Sequence, residues 1–306
     1  MSMIENLFPS PKPKPSFLLQ PSSSSSLSSS QTQLVKNEVC PKQNPNKGTN
    51  VNNEGSSFDI LNYESWVSPQ VLKHHSVFTS NKDIVHLRQK IQLTLDSSSE
   101  DDFVCLPCSD EEECVCWQHK DENEPLFIYM YQFLFEKLSI SLPFPKFQCD
   151  ILVALNVAPT QLHPNTWGFV RAFEILCSCV GIEPSVNKFL YFFQVKVFGK
   201  MEWISASGRS GRRLLNAFDS SYKNWKNMFF RVRSVCSSYP FFLEEGGKPR
   251  FPLHWTTDPV PYTTFEVDRL DEVERYEVQQ LSCLSVFHCA NLIGLGENRH
   301  ALMKYF

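Results

Sequence analysis

The densest group of chemistry-bearing side chains is Cys105, Cys108, Cys114, Cys116 and His119, spaced C-x2-C-x5-C-x-C-x2-H. Zinc takes four thiolate or imidazole ligands in a tetrahedron. The first pair has the two-residue gap that this geometry favours. The second pair, one residue apart, does not. Asp110, Glu111, Glu112 and Glu113 fill the interval. An acidic loop with incidental cysteines, some packing inward, explains the same residues. The expectation is no cofactor, with zinc at these five positions as the alternative.

Two other kinds of chemistry are open. His163, in QLHPN, is a general-base candidate, but no serine or cysteine nucleophile and no orienting carboxylate stand beside it in sequence. A helix-capping or Trp167-packing ring accounts for it equally. Two-metal phosphoryl transfer would need several carboxylates on one rigid scaffold. Between Pro125 and Lys200 the acids are Glu136, Asp150, Glu174 and Glu183. None sits mid-strand in an alternating pattern. No catalytic residue is assigned.

The basic segment is the better lead. Ten Lys or Arg between Lys188 and Arg233 stand against two acids, Glu202 and Asp219. Arg209, Arg212, Arg213, Lys223, Lys226 and Arg231 interleave with Trp203, Tyr222, Trp225, Phe229 and Phe230. Cations neutralise phosphates, and exposed rings stack on bases. The competing reading is internal. Between Glu100 and Glu124 ten acids face one base, Lys120, so the two stretches can neutralise each other.

The elements that position these residues follow from patterning. Ile84, Leu87, Ile91 and Leu95 repeat at three and four, a short amphipathic helix. PLFIYMYQFLFEKLSIS is apolar nearly all round and reads as a buried helix. FQCDILVALNVAP reads as a second helix, blocked near Pro159. A third begins at Pro164, carries Phe169, Phe173, Leu176 and Val180 on one stripe and ends at Gly181. PSVNKFLYFFQVKV is a shorter helix running toward a strand. WISAS, MFFRVRSV and PRFPLHW suit a small antiparallel sheet. FEVDRLDEVERYEVQQLSCLSVFHCANLIGL reads as one long amphipathic helix. Val267, Leu270, Val273, Val278, Leu281 and Leu284 line one side. That stripe either packs on its own core or pairs two copies.

LPFPKFQCDILVALNVAPTQLHPNTWGFVRAFEILCSCVGIEPSVNKFLYFFQVK resembles the gypsy-type transposase domain found across plant genomes. The motifs that carry the likeness are Leu142 to Phe144, Ala158 to Trp167, Ala172 to Cys177 and Pro184 to Phe193. RSGRRL, from Arg209 to Leu214, and the later Trp225, Lys226, Phe229, Phe230 and Val232 also fit. QLHPN followed by Trp is the specific part. The Cys-rich acidic loop is a departure. The resemblance implies an element-derived protein with a gag-like structural or nucleic-acid-associated role. It supplies no catalytic residues. A divergent or inactive transposase, with metal-bound carboxylates acting on DNA, is the alternative it implies.

Composition bounds the rest. The chain has 306 residues, 42% hydrophobic, 25 of them Phe, with net charge −4. A core is affordable by area, and a globally basic nucleic-acid binder is not indicated. Eleven Cys, several inside apolar patterns, read as reduced thiols. No apolar run reaches membrane-spanning length. The start lacks a secretory signal, and its first 36 residues contain no Arg, against a plastid leader. The expected protein is intracellular, nuclear or cytoplasmic, with no membrane partner. Residues 1–57 read as a disordered Pro/Ser/Asn-rich arm. Residues 58–260 form the domain, including an acidic loop at 96–124, and 261–306 a C-terminal helical segment. The fold class is α+β, predominantly α-helical: a compact helical core, a small antiparallel sheet, and a C-terminal amphipathic helix.

Overall fold

The computed structural model describes residues 66–91, 103–109, 112–118, 125–197, 199–219, 222–235, 240–296 and 301. The N-terminal arm, Leu95, His119 and most of the acidic loop lie outside these. The fold is mixed α+β, as the patterning indicates.

A three-stranded antiparallel sheet sits in the order β1 (Phe103–Leu106), β6 (Phe229–Ser234), β2 (Ile128–Tyr131). β6 is central, and its register sets Arg231 opposite both Leu106 and Tyr129. Every residue of β2 is buried. It leads directly into α3 (Gln132–Glu136), a single turn. The expected single buried helix over PLFIYMYQFLFEKLSIS is therefore a four-residue strand followed by a five-residue helix. A continuous apolar run looks alike in a buried helix and a buried strand, and pairing with β6 decides it. β1 lies inside the stretch expected to be an acidic loop, where Phe103–Leu106 pair with β6.

The helical layer follows the sequence more closely. α1 is a turn at Pro69–Leu72, and α2 (Asn81–Ile91) buries Ile84, Leu87 and Ile91. α4 (Lys146–Leu155) ends at Asn156, whose φ of 51° places it in the left-handed region, where Asn is tolerated. α5 (Pro164–Val180) begins with proline at its first position, and Gly181 closes it at φ 73°. Trp167, Phe169, Val170, Phe173 and Leu176 are buried. α6 (Val186–Phe192) runs into β3 (Phe193–Lys196), which pairs antiparallel with β4 (Ser205–Gly208).

The C-terminal stretch is interrupted. A 3-10 turn at Val267–Arg269 precedes α7 (Glu272–Ser282), then β7 (Phe287–His288) and α8 (Cys289–Leu295). β7 pairs with β5 (Leu215–Asn216). Asp271 caps α7 by accepting from the Glu274 N–H, while Glu274 reaches back to the Asp271 N–H, a reciprocal box that fixes where the helix starts. The expected single stripe divides accordingly. Leu270, Val278 and Leu281 join the core, whereas Val267 and Val273 are exposed. Leu292 and Cys289 of α8 pack in the same core as α5.

Candidate functional site

Each sequence-selected cation has a distinct setting. Arg231 lies between Tyr129 and Leu106 across the sheet. Its Nε donates to Glu113 Oε1 at 2.7 Å and its Nη2 to Glu113 Oε2 at 2.8 Å. Tyr129 Oη and the Ser109 N–H donate to the same carboxylate. Glu113 is fully buried. Burial pushes its carboxyl upward, but the Arg231 and Tyr129 hydrogen bonds and the Arg231 charge hold it below the ordinary range. This is the internal neutralisation between the acidic and basic stretches, realised at one pair.

Arg209 works as a clamp. Its guanidinium donates to the carbonyls of Leu190, Tyr262, Thr263 and Thr264 at 2.7–3.2 Å. It ties the end of α6 to the segment before α7. Arg212 lies over the Tyr191 ring, 4.2 Å from its centroid. Lys226 lies 4.2 Å over the Trp203 ring. Arg213 and Lys223 are exposed.

The turn between Arg209 and Arg212 closes through the Arg212 N–H to the Arg209 carbonyl at 3.2 Å, with Gly211 at φ 74°. A type II turn requires a positive φ at that third position, which glycine supplies without strain. The turn borders an open groove of about 640 Å³ against the outer face of β3 and β4. The polar lining of the groove includes Asn165, Gln194, Ser207, Asn216, Arg209 and Arg213, and the described residues lining it include no carboxylate.

His163 caps α5. Its Nδ1 accepts from the Asn165 N–H at 3.2 Å. The ring packs edge-on to Trp225 and Tyr222, where sequence pointed to Trp167. Burial, then the Lys226 charge, lowers its pKa to about 4. Trp167 instead stacks on Phe144 and donates to the Pro159 carbonyl at 2.8 Å.

The cysteines disperse. Cys108 Sγ faces the Phe229 carbonyl and Cys114 Sγ the Leu72 carbonyl. Burial pushes Cys105 and Cys116 up to about 12, so these are packed thiols, not thiolates. Cys114 Sγ is 3.7 Å from His75 Nδ1, but that nitrogen lies closer, 3.0 Å, to the Glu112 carbonyl and can only donate there. Among the described residues no three His, Cys, Asp or Glu side chains converge as metal ligands would. Glu136 pairs with Lys137, the residue after its helix, while Asp150 pairs with Lys146 and Glu174 with Arg171 within their own helices. No described helix is long and apolar enough to cross a membrane.

Sequence reasoning passed over Asn165 and Phe218. Asn165 Nδ2 donates to the Asp219 carbonyl, and its Oδ1 accepts from the Asp219 N–H and Tyr222 Oη. Phe218 lies against Gly168, where a Cβ would come within 2.9 Å of the Phe218 Cβ. The signals were present, as the Asn of QLHPN and the lone glycine inside a helix.

Residues 128–197 match the model of a family described as "putative gypsy type transposon". The part of the chain from β2 through β3 is therefore similar to that family. The Arg209–Arg213 turn lies beyond the matched stretch. No curated protein and no solved structure matches the chain.

Proposed function

We propose that this chain is a non-enzymatic protein of a transposable element, gag-like in role, that touches the phosphate backbone of nucleic acid along the Arg209–Arg213 turn. The observation that carries this reading is the groove beside that turn, lined by arginine and neutral polar groups with no carboxylate among its described residues. Anions enter such a groove without meeting a like charge.

Within the six sequence-selected cations the roles divide. Arg213 and Lys223, both exposed, contact phosphate. Arg212 and Lys226 reinforce the local potential from their ring-bound positions. Arg209 and Arg231 build the scaffold. Each phosphate neutralised releases counterions, so affinity falls with salt at a slope near 0.7–0.9 per contact.

The test is binding of the full chain to DNA and RNA across a salt series. Binding at low salt with a steep negative slope supports the reading. Arg213→Ala should weaken binding and reduce the slope by about one unit. Absence of binding at low salt overturns it.

A further inference from the structure

We infer that the nucleic acid taken by this surface is single-stranded, with one base seated in an aromatic hollow beside the groove. The inference rests on the phosphate-contact reading above.

The hollow, about 240 Å³, is walled by Phe133, Phe218, Tyr222, Trp225 and Met228. That is smaller than the roughly 300–1,000 Å³ of a pocket for a whole drug-sized ligand. It suits one planar ring. Phe218 and Tyr222 stand nearly parallel, at 16° and 6.2 Å between centroids, and both are half-buried. They present the kind of π surface on which bases stack irrespective of sequence. Trp225 and Phe133 close the inner end edge-to-face at 5.8 Å.

Two features tie hollow to groove. Asn165 lines the groove, and its side-chain amide holds the Asp219 backbone and the Tyr222 hydroxyl. Residues 215–217 line the groove, and Phe218 lines the hollow. A strand with phosphates at Arg213 can therefore turn a base toward Tyr222. Lys137 and Lys223 border the hollow. Two carboxylates, Glu136 and Asp219, border it as well, so two cations face two anions and the aromatic walls, not net charge, carry the inference. Of the two, Glu136 stands 3.5 Å from the Lys137 ammonium and accepts from Gln132.

A duplex keeps its bases stacked inside and cannot fill the hollow. The full chain is titrated with a short mixed-sequence oligonucleotide as single-stranded DNA, as single-stranded RNA and as the matching duplex, at one low salt. Trp fluorescence is followed in each arm, with Trp225→Phe as the control that identifies the signal from the hollow. The single strands should bind about tenfold or more tighter than the duplex, as one base–ring contact would give. Tryptophan emission should be quenched by the single strands alone. Tyr222→Leu fills the space without a π face and should erase the preference, while Tyr222→Phe keeps it. The DNA and RNA arms decide whether the 2′-hydroxyl is read. Equal affinity for duplex and single strand, with Tyr222→Leu without effect, overturns the stacking inference and leaves the phosphate reading standing. No binding of any oligonucleotide removes both.

Discussion

Arg231 and Glu113 show how residue type misleads until burial is known. An arginine amid aromatics on a basic stretch suggests phosphate. Here the side chain is 12% exposed and its partner carboxylate 0%, with the guanidinium also 4.3 Å over the Phe127 ring. A buried pair costs its own desolvation, so its net worth is modest, but removing one partner strands the other charge. Arg231→Ala should therefore lower unfolding free energy by about 3–5 kcal/mol. Glu113→Gln combined with Arg231→Met should recover much of that loss. Urea denaturation of the single and double variants gives the coupling. A coupling below about 1 kcal/mol would put the pair with surface ion pairs. It would also return Arg231 to the candidate phosphate contacts. No sequence pattern marks this pairing, because Glu113 is one of four consecutive acids and the sheet register alone selects it.

At the scale of elements, legibility tracks periodicity. α5 was readable from Pro164 to Gly181 because a proline start, an apolar stripe and a glycine stop agree. β2 was not, because uniform apolarity carries no period. The long C-terminal helix failed for a third reason. The box at Asp271 sets a start inside the run, and Ser282 to His288 must turn to pair β7 with β5. The aromatic hollow was hidden likewise: its walls come from α3 and the 218–228 stretch, which only tertiary contact unites. The cap of α5 offers a test of this scale. His163 accepts a backbone N–H through Nδ1, so the cap requires the neutral ring. Its folded pKa is lowered to about 4 from 6.5. The unfolded chain therefore binds the proton first as pH falls. The His163 contribution is fully present above about pH 6.5 and is lost progressively toward pH 4. Asn caps as well as any residue and does not titrate. His163→Asn should remove this part of the acid destabilisation, seen as a flatter melting temperature between pH 6.5 and 4. An unchanged pH profile would mean that the ring titrates alike in the folded and unfolded chain.

For the whole molecule, the question is where the folding unit ends. Sequence texture suggested a domain closing near residue 260 with a helical segment beyond. The contacts tie that segment into the core at several depths. Lys188 of α6, nearly buried, pairs with Glu277 of α7 at 2.6 Å. Ser185 donates to Glu274. The carbonyls of Tyr262, Thr263 and Thr264 satisfy Arg209, and the Phe287 N–H donates to the Leu214 carbonyl. Leu281, Cys289 and Leu292 are fully buried. Each large apolar side chain removed from such a core costs about 2–5 kcal/mol, against a total stability of about 5–15 kcal/mol. A chain ending at residue 260 would expose the α5 face that α8 covers and leave the Arg209 guanidinium and the Lys188 ammonium without these acceptors. It should not fold cooperatively. Hydrogen exchange at α5 amides should be near global-unfolding protection in the full chain and collapse in the truncated one. Retained protection of α5 would instead make residues 261–306 an appendage, and the groove beside Arg209 would then owe its shape to the shorter unit alone.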